Sequence, residues 1–494
     1  MKIRQQGKNK ATGSPNARYE FTRLILNATM RQRRTHAVRE DRPTTMARVL
    51  LINPGMDVAA AFGEYRSLME PMPCVGVAYL AAAARQFGHE VRVVDNFVAN
   101  LPTAELARLT REWGAQVVGL SMLTPSAHST TELGRALRKQ TGAKVVYGNL
   151  HAALFADDLL NDDAGDAVVH GEGEHSFSLL AEALAEDRLP TEIPGLSLFD
   201  GKNVIHTGPP VMIEDLDALP WPAWDMLPHR QYTFLPFVTV AKPCLSLLAS
   251  RGCPFSCRFC ALGYQGNRVR TRTPENIAAE IDWLVRDYGI RHVGFVDPIF
   301  PLNKKVGLAV CEAIRARNIP HQWWWTSETR VDVIDEEICR AMRAARCKRI
   351  LFGVESGVNE LLAGVGKNFT TDDVRRAVRV ARAAGLEISA FFMLGLPGET
   401  AEMTRRTIEF ARELDIDFAK FGLTVPLPGS ALYEEMVEQG RIERHEWDKF
   451  TTFNPDPDSL AYIPEGMTGA QLQRLHRRAR SEERRVGKEC RSRW

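Results

Sequence analysis

The sequence lacks any uninterrupted apolar run that approaches the roughly 18 to 20 residues of a membrane span, and its amino terminus lacks the apolar segment of a signal peptide. Cysteine is scarce, because nine among 494 residues is an odd number and too few for a secreted disulfide scaffold. With 45% hydrophobic and 25% charged residues, the composition is that of a globular protein of two or three domains. We expect a cytoplasmic protein with no membrane span.

Charge is unevenly distributed, although the net charge is only +2. Residues 1–45 hold eleven basic and three acidic residues, and residues 480–494 hold six and three, so residues 46–479 carry a net charge of −9. Such an acidic body lacks the basic face that a nucleic-acid-binding protein presents to phosphates. We therefore expect no nucleic acid among the partners.

Both ends of the chain differ from this body. Residues 1–45 are basic and without periodicity, which predicts a disordered or mis-annotated extension with Met46 as the true start. A basic arm that binds an acidic partner is the alternative. Residues 480–494 resemble the translation of a common sequencing adapter, which predicts a disordered tail there and makes 431–479 a truncated C-terminal region.

Between residues 46 and 187, short β-branched runs alternate with helical stretches, which is typical of a parallel sheet. Five candidate strands predict one doubly wound, Rossmann-like α/β domain, whose ligand would bind beyond the carboxyl ends of the strands. Ordinary turns and a ligand site are equally compatible with the loops there, in which glycine allows close backbone approach. Their candidate binding residues are Ser121, Thr124, Gly148, Asn149, Gly171, Glu172 and Gly173.

Residues 188–243 are rich in proline and predict an irregular linker. We expect Trp221 and Trp224 in this linker to pack the flanking domains together. From 244 to 430 the alternation resumes with longer helices, and six strand and helix repeats predict a partial (β/α)6 barrel of the TIM type. Glu328 and Arg330 share one strand face, where charges must pair with each other or with a ligand.

Three cysteines, Cys253, Cys257 and Cys260, follow the first barrel strand with the spacing C-x3-C-x2-C. Three thiolates from one loop can hold three irons of a 4Fe-4S cluster and leave the fourth iron open. A structural zinc site is the alternative, but it needs four ligands, and no second C-x2-C or histidine pair stands nearby. We predict a 4Fe-4S cluster.

The cysteine spacing, with Phe259 before the last cysteine, resembles the radical S-adenosylmethionine (AdoMet) superfamily. The resemblance implies that the open iron binds AdoMet and that the reduced cluster cleaves it to a 5′-deoxyadenosyl radical. Residues 353–357 and 395–398 resemble the ribose and adenine segments of that superfamily. The implied AdoMet contacts are Phe259, Arg330, Glu355, Ser356, Gly395, Pro397 and Gly398.

The first domain resembles the cobalamin-binding domain of many radical AdoMet enzymes, which implies cobalamin in the loops that hold Ser121, Gly148 and Gly171. The residues that carry the resemblance are Pro73, Gly76, Tyr79, Leu80, Gly148, His151, Gly171, Glu172 and Gly173. The Asp-x-His-x-x-Gly loop that supplies a lower axial histidine in other cobalamin enzymes is absent. The resemblance therefore implies base-off cobalamin without a histidine ligand, and we expect His128 and His151 to be surface histidines at helix starts.

The resemblance covers residues 48–430 and implies an enzyme whose radical abstracts hydrogen from an unactivated carbon for C-methylation. A radical cyclase or oxidoreductase, like the anaerobic magnesium-protoporphyrin ester cyclase, is the alternative. The implied partners are a small-molecule, lipid, tetrapyrrole or natural-product substrate and an electron donor such as flavodoxin or ferredoxin. A tRNA methylthiotransferase would need more cysteines before residue 244 than Cys74, and a non-catalytic cobalamin or iron-sulfur sensor would not need the AdoMet-type residues.

Overall fold

The computed structural model describes residues 45–55, 70–262, 266–320, 322–442, 446–454 and 456–486. Nearly all of the predicted N-terminal extension and the last eight residues of the predicted tail lie outside these ranges. Two sheets organise the described residues, one of seven strands and one of six. None of the described helices is long and apolar enough to cross a membrane.

The first sheet confirms the doubly wound α/β prediction. Its strands are β1 (Arg48–Asn53), β2 (Glu90–Asp95), β3 (Val117–Ser121), β4 (Lys144–Gly148), β5 (Ala167–Val169), β6 (Leu196–Phe199) and β7 (Val204–His206). Their order is β2-β1-β3-β4-β5-β6-β7, in which the first five strands pair in parallel and the last two antiparallel. The strand order reverses between β1 and β3, which is where such sheets bind ligands. The linker prediction for 188–243 is wrong at β6 and β7, because Leu196 and Leu198 are buried and continue the sheet.

Helices cover both faces of this first sheet. They span Val75–Gln86, Asn96–Ala99, Thr103–Trp113, Ala127–Thr141, Leu150–Leu154, Ala156–Asn161 and Gly173–Ala185. The helix Val75–Gln86 is rich in alanine and fully buries Ala78, Ala81 and Ala84, so its backbone approaches its neighbours closely. One of those neighbours is the proline-rich segment, since the Ala223 amide donates to the Ala78 carbonyl at 3.0 Å.

The second sheet is all parallel and confirms the strand count of the partial barrel. Its strands are β8 (Cys244–Leu247), β11 (His292–Phe295), β12 (Trp324–Thr329), β13 (Cys347–Glu355), β14 (Glu387–Leu394) and β15 (Phe418–Leu423), with a small hairpin of β9 (Ser250–Arg251) and β10 (Arg270–Thr271) beside it. The six strands lie in sequence order from β8 to β15. The accompanying helices are Pro274–Asp287, Lys304–Ala316, Glu336–Ala344, Asn359–Gly364, Thr371–Ala383, Ala401–Glu413, Ala431–Glu438 and Gly469–Val486.

The two faces of the second sheet differ in burial. Residues that face the helices, such as Trp325, Phe352 and Phe392, are at most 1% exposed. On β14 and β15 the alternate residues, such as Phe391 and Lys420, retain accessible surface. The face away from the helices therefore lines a lumen.

Residues 232–241 of the proline-rich segment close the lower end of this lumen. The ring of Phe234 fills the space over Gly294, whose missing side chain would lie 2.6 Å from that ring. The carbonyl of Phe237 accepts hydrogen bonds from Arg349 at 3.0 Å and from Ser389 at 2.7 Å. Trp224 is fully buried in the hydrophobic core of the second sheet. Ala78, from a helix that covers the first sheet, belongs to the same core, so the predicted role of Trp224 in packing the two domains together is confirmed.

The helix Gly469–Val486 lies along β15, the edge strand of the second sheet. Its Glu483 carboxylate accepts a hydrogen bond from the Phe421 amide at 2.8 Å, which satisfies an edge group. The prediction of a disordered tail from residue 480 is thus wrong for residues 480–486, which continue this helix, and its remainder lies outside the described part of the chain.

Candidate active site

The cysteine loop connects β9 to β10 and is tied to two later parts of the barrel. Gly252, which precedes the first cysteine, has a φ of +92° and lies against the Arg268 carbonyl, so a side chain would not fit. The Arg258 amide donates to the Val365 carbonyl at 3.1 Å, and its carbonyl accepts from the Leu432 amide at 2.8 Å. These bonds hold the loop over the carboxyl ends of the barrel strands.

Cys253, Cys257 and Cys260 are half-buried free thiols that lie within electrostatic range of one another. Burial raises the pKa of the Cys257 and Cys260 thiols, and the positive charge of Lys367 opposes this effect. Among the described residues, no three histidine, cysteine or acidic side chains surround one metal position. Three thiolates from one loop can each bind a different iron of a cluster.

Lys367 is a site residue that the sequence analysis missed. Its ammonium forms a 2.8 Å ion pair with Glu355, and the two side chains are only 8% and 10% exposed. Glu355 ends β13 with a φ of +66°, a strained conformation that is common at functional sites. A lone lysine after a short helix gives no sequence signal, because it resembles any surface lysine.

Arg330 connects the end of β12 to the cysteine loop. Its guanidinium binds Asp332 through two hydrogen bonds of 2.9 and 2.8 Å and stacks 3.8 Å from the ring centroid of Phe255. The sequence allowed an ion pair between Glu328 and Arg330, but in the structure Arg330 forms its ion pair with Asp332. The third nitrogen of Arg330, Nη1, is buried and has no partner among the described residues.

The other expected AdoMet residues divide into two groups. Pro397 and Gly398 are accessible in the turn after β14, where the buried Glu399 carboxylate accepts from the Gly395 amide at 2.7 Å. Ser356, in contrast, is 0% exposed, and its hydroxyl lies 3.2 Å from that of Thr407. Its side chain therefore stabilises the turn after β13.

These residues fit the expected cofactors in their chemistry. Three thiols supply three cluster ligands. The unpartnered Arg330 nitrogen suits a carboxylate, and the pair of Glu355 and Lys367 suits the ammonium and hydroxyl groups of AdoMet. Phe259, partly buried beside the last cysteine, has its ring centroid 5.8 Å from the Lys367 ammonium.

In the first sheet, the loops after β3 and β4 lie together. The Asn149 amide donates to the Ser121 hydroxyl at 3.3 Å, and the Thr124 hydroxyl lies 3.2 Å from His151 Nδ1. Apart from its chain neighbours, no atom of the described residues lies within 4 Å of the position that a side chain would take at Gly148. This open space suits the close approach of a ligand to the backbone.

One expectation for this region needs correction, and Gly171 has a role in packing. His151 is not a surface histidine, because it is 4% exposed and packs its ring 4.8 Å from that of Trp447. Burial lowers its pKa to about 4, so it is neutral at neutral pH. Gly171 has a φ of +67° and lies against Pro210, so packing within the fold already requires glycine there.

Glu172 joins the two sheets. Its carboxylate oxygens accept hydrogen bonds of 2.6 and 2.8 Å from Arg270 of the β9–β10 hairpin, and one of them accepts from the Ile213 amide at 2.8 Å. Arg251 of the same hairpin pairs with Glu174. The expected cobalamin residue Glu172 is therefore engaged in holding the cysteine hairpin against the first sheet.

The C-terminal region links the carboxyl edge of the first sheet to the cysteine loop. Residues of the C-terminal region, including Trp447 and Phe450, share a core with Leu120 and Met122 of the first sheet, and Phe259 packs against it. Leu123 after β3 and Leu427 after β15 are 49% and 38% exposed. Large exposed apolar side chains at both edges suit a bulky ligand between them.

Comparison with known proteins identifies this arrangement. The family model of the radical SAM superfamily matches residues 247–411, and that of the B12 binding domain matches residues 66–181. The uncharacterised methyltransferase PH0819 of Pyrococcus horikoshii is 32% identical over 388 residues, which cover 78% of this chain and 82% of that protein. The chain belongs to the cobalamin-binding radical AdoMet enzymes. The cofactors of this family, a 4Fe-4S cluster, AdoMet and cobalamin, are those expected from the sequence.

Other relatives in the family are more distant. The anaerobic magnesium-protoporphyrin IX monomethyl ester cyclase of Cereibacter sphaeroides is 28% identical, with 78% of this chain and 63% of that protein covered. Among solved structures, the radical AdoMet methyltransferase TsrM of Kitasatospora setae matches with a TM-score of 0.68 and 19% identity over 90% of this chain and 89% of that chain. This likeness supports the two-sheet fold.

Proposed function

We propose that the chain is a cobalamin-dependent C-methyltransferase that acts on a small molecule in the lumen of the second sheet. The observation that carries the proposal is the meeting of three thiols, the unpartnered Arg330 nitrogen and the Glu355–Lys367 pair under the edge of the first sheet. When bound, the three cofactors supply radical formation and the methyl group.

In this proposal the protein's own residues bind and orient. Cys253, Cys257 and Cys260 hold the cluster, while Arg330 donates from Nη1 to the AdoMet carboxylate. Glu355 accepts from the AdoMet ammonium or ribose, and Lys367 balances its charge. The core shared by the C-terminal region and the first sheet excludes water from one side of the site.

For cobalamin, we propose the loops that hold Ser121, Gly148 and Asn149, with no histidine ligand to cobalt. His151 is buried between Phe155 and Trp447, with ring centroids 4.7 and 4.8 Å away, which supports its exclusion as a ligand. We expect His151→Leu to leave the absorption spectrum of bound cobalamin unchanged. A changed cobalt coordination spectrum would contradict this arrangement.

The decisive experiment is anaerobic reconstitution with iron, sulfide and cobalamin, with a reductant such as flavodoxin or ferredoxin as the proposed electron donor. We expect bound iron and cobalt and cleavage of AdoMet to 5′-deoxyadenosine. Cys257→Ala should abolish AdoMet cleavage and retain bound cobalt. The control Cys311→Ala changes a core cysteine that is 1% exposed and should retain both AdoMet cleavage and bound cobalt. Cleavage by the Cys257 variant would refute the cluster assignment.

The cyclase alternative differs in the fate of the methyl group. It is supported by the likeness to the Cereibacter sphaeroides enzyme over 78% of this chain. With AdoMet labelled at its methyl carbon, a methyltransferase gives a labelled product, whereas a cyclase gives an unlabelled one. Unlabelled product together with AdoMet cleavage would replace methyl transfer by cyclisation.

A further inference from the structure

Two opposite charges face the lumen of the second sheet and belong to no interaction described above. They are Glu328 on β12 and Lys420 on β15. Within the described residues, neither the Glu328 carboxylate nor the Lys420 ammonium has a hydrogen-bond or ion-pair partner. The Glu328 side chain is exposed and that of Lys420 is half-buried, so both charges are accessible to a molecule that enters the lumen.

The strand register places both residues on the same face. A row of register partners runs from Glu328 across β13 and β14 to Phe418 on β15. Lys420 lies two residues beyond Phe418, and side chains two apart in a strand share a face. Ser327 and Phe421, which have the other parity, are 1% and 0% exposed on the helix side.

Aromatic rings surround the Lys420 ammonium without giving it an acceptor. It lies 4.6 Å from the ring centroid of Phe237, 4.7 Å from that of Phe453 and 5.9 Å from that of Phe391. Cation–π contacts offset part of the cost of burial, but the ammonium keeps three donor hydrogens. Phe237 comes from the segment that closes the lumen, so Lys420 lies near its lower end.

The charge environment keeps both groups responsive to a ligand. Burial lowers the pKa of Lys420 to about 8, and the charges of Glu483 and Glu328 oppose that shift while Arg480 adds to it. The enclosing lumen walls and the like charge of Glu355 raise the pKa of Glu328, although its side chain is exposed to the lumen, and Lys367 and Lys420 oppose that rise. An anion near Lys420 would therefore favour its ammonium form.

We propose that the lower lumen is a substrate subsite for a small anionic molecule that also carries an ammonium or hydroxyl group. Lys420 donates hydrogen bonds to the anionic oxygen group, and Glu328 accepts one from the ammonium or hydroxyl. The phenyl rings of Phe237, Phe391 and Phe453 pack against the body of the molecule. This subsite rests on the proposed function, and it disfavours a hydrocarbon substrate, which would leave both charges unpaired.

Four probes with one phenyl body test the subsite in reconstituted enzyme with AdoMet: phenylalanine, 3-phenylpropionate, 2-phenylethylamine and 3-phenylpropanol. Calorimetric titration measures their dissociation constants. We expect phenylalanine to bind tightest and 3-phenylpropionate next, each at least about tenfold more tightly than the neutral alcohol, since a charge-assisted hydrogen bond has that order of effect. Equal binding of all four, or binding of none, would overturn the proposal.

Two variants assign each charge to its residue. Lys420→Met should remove the tighter binding of 3-phenylpropionate relative to 3-phenylpropanol. Glu328→Gln should remove the tighter binding of phenylalanine relative to 3-phenylpropionate. The controls Lys139→Met and Glu360→Gln, at exposed positions, should change neither preference. Unchanged preferences in the lumen variants would overturn the subsite.

Failure of the subsite can be separated from failure of the proposed function. Iron content, cobalt content and AdoMet cleavage without any probe are measured in the same samples. Intact cleavage with no charge preference refutes the subsite alone. A charge preference without any cleavage in the wild-type protein refutes the radical chemistry and leaves the binding site in place.

Discussion

The guanidinium carbon of Arg330 lies 3.8 Å from the ring centroid of Phe255, which stands between Cys253 and Cys257. Through this contact the end of β12 and the cysteine loop form one unit. The proposed ligand of the AdoMet carboxylate is thus positioned by the loop that holds the proposed cluster ligands. A change at Phe255 should therefore affect AdoMet binding as well as the cluster.

Arg330→Lys should weaken AdoMet binding about tenfold, because a lysine cannot bind Asp332 with two nitrogens and still offer a third to a carboxylate. Equilibrium dialysis of the reconstituted protein with AdoMet measures the change. Arg375→Lys, in an exposed ion pair with Asp372, is the matched control and should bind as the wild type does. Undiminished affinity in the Arg330 variant would remove Arg330 from the AdoMet site.

Lys367→Met should destabilise the protein by about 3–5 kcal/mol, because it leaves the buried Glu355 carboxylate without its partner. The double variant Lys367→Met with Glu355→Gln should regain much of that loss, since no buried charge remains unpaired. Chemical denaturation of the apoprotein gives both values. Additive losses in the double variant would show that the two side chains do not interact.

Gly148→Ala and Gly171→Ala should separate ligand contact from packing. At Gly148 the new methyl group meets no atom within 4 Å in the described part of the chain beyond its two neighbours, so we expect unchanged stability and weaker cobalamin binding. At Gly171 the φ of +67° and the contact with Pro210 predict a loss of stability with or without cobalamin. Thermal unfolding with and without cobalamin distinguishes the two, and full cobalamin affinity in Gly148→Ala would exclude that loop.

The pairing of Glu172 with Arg270 predicts a pH dependence of stability. Burial raises the pKa of Glu172, but the hydrogen bonds from Arg270 and the charge of Arg251 outweigh it and hold the pKa below the usual value of 4.5. In the unfolded chain this carboxylate takes up its proton first, so its contribution is present above that value and is lost as the pH falls through the lower folded pKa.

Glu172→Gln should therefore be less stable than the wild type at pH 7, and the difference should shrink below the usual pKa of 4.5. Thermal unfolding of the apoprotein at pH 7 and at a pH below 4.5 measures this difference in stability. Glu360→Gln, on an exposed helix, should give no such convergence. If the difference in stability between Glu172→Gln and the wild type is the same at both pH values, the charge of Glu172 does not contribute to its pairing with Arg270.

Local patterns were sufficient to predict both sheets, because strand and helix periods depend on residues close in the chain. The five strands expected between residues 46 and 187 are present as β1 to β5. The strands β6 and β7 were missed because the surrounding prolines suggested a linker. Their burial comes from pairing with β5, which a local pattern does not reveal.

The site was only partly predictable for a similar reason. The three cysteines are recognisable from their spacing in the sequence. The side chains of Lys367, Phe255 and Lys420, in contrast, are functional candidates because of contacts with segments that are distant in the chain. Glu172 was expected near cobalamin from its loop and the family resemblance, and its pairing with Arg270, 98 residues away, gave no local signal. The aromatic neighbours of His151 are likewise partly remote, since Trp447 belongs to the C-terminal region.

The closure of the lumen by residues 232–241 has a consequence for where the reaction occurs on a substrate. With one end blocked by Phe234 and Phe237, a molecule enters from the side of the first sheet. If its acidic end goes in first, to Lys420, its opposite end stays nearest the cofactors. The methylated carbon should then lie far from the acidic group, so the position of the label along the product reports the direction of entry.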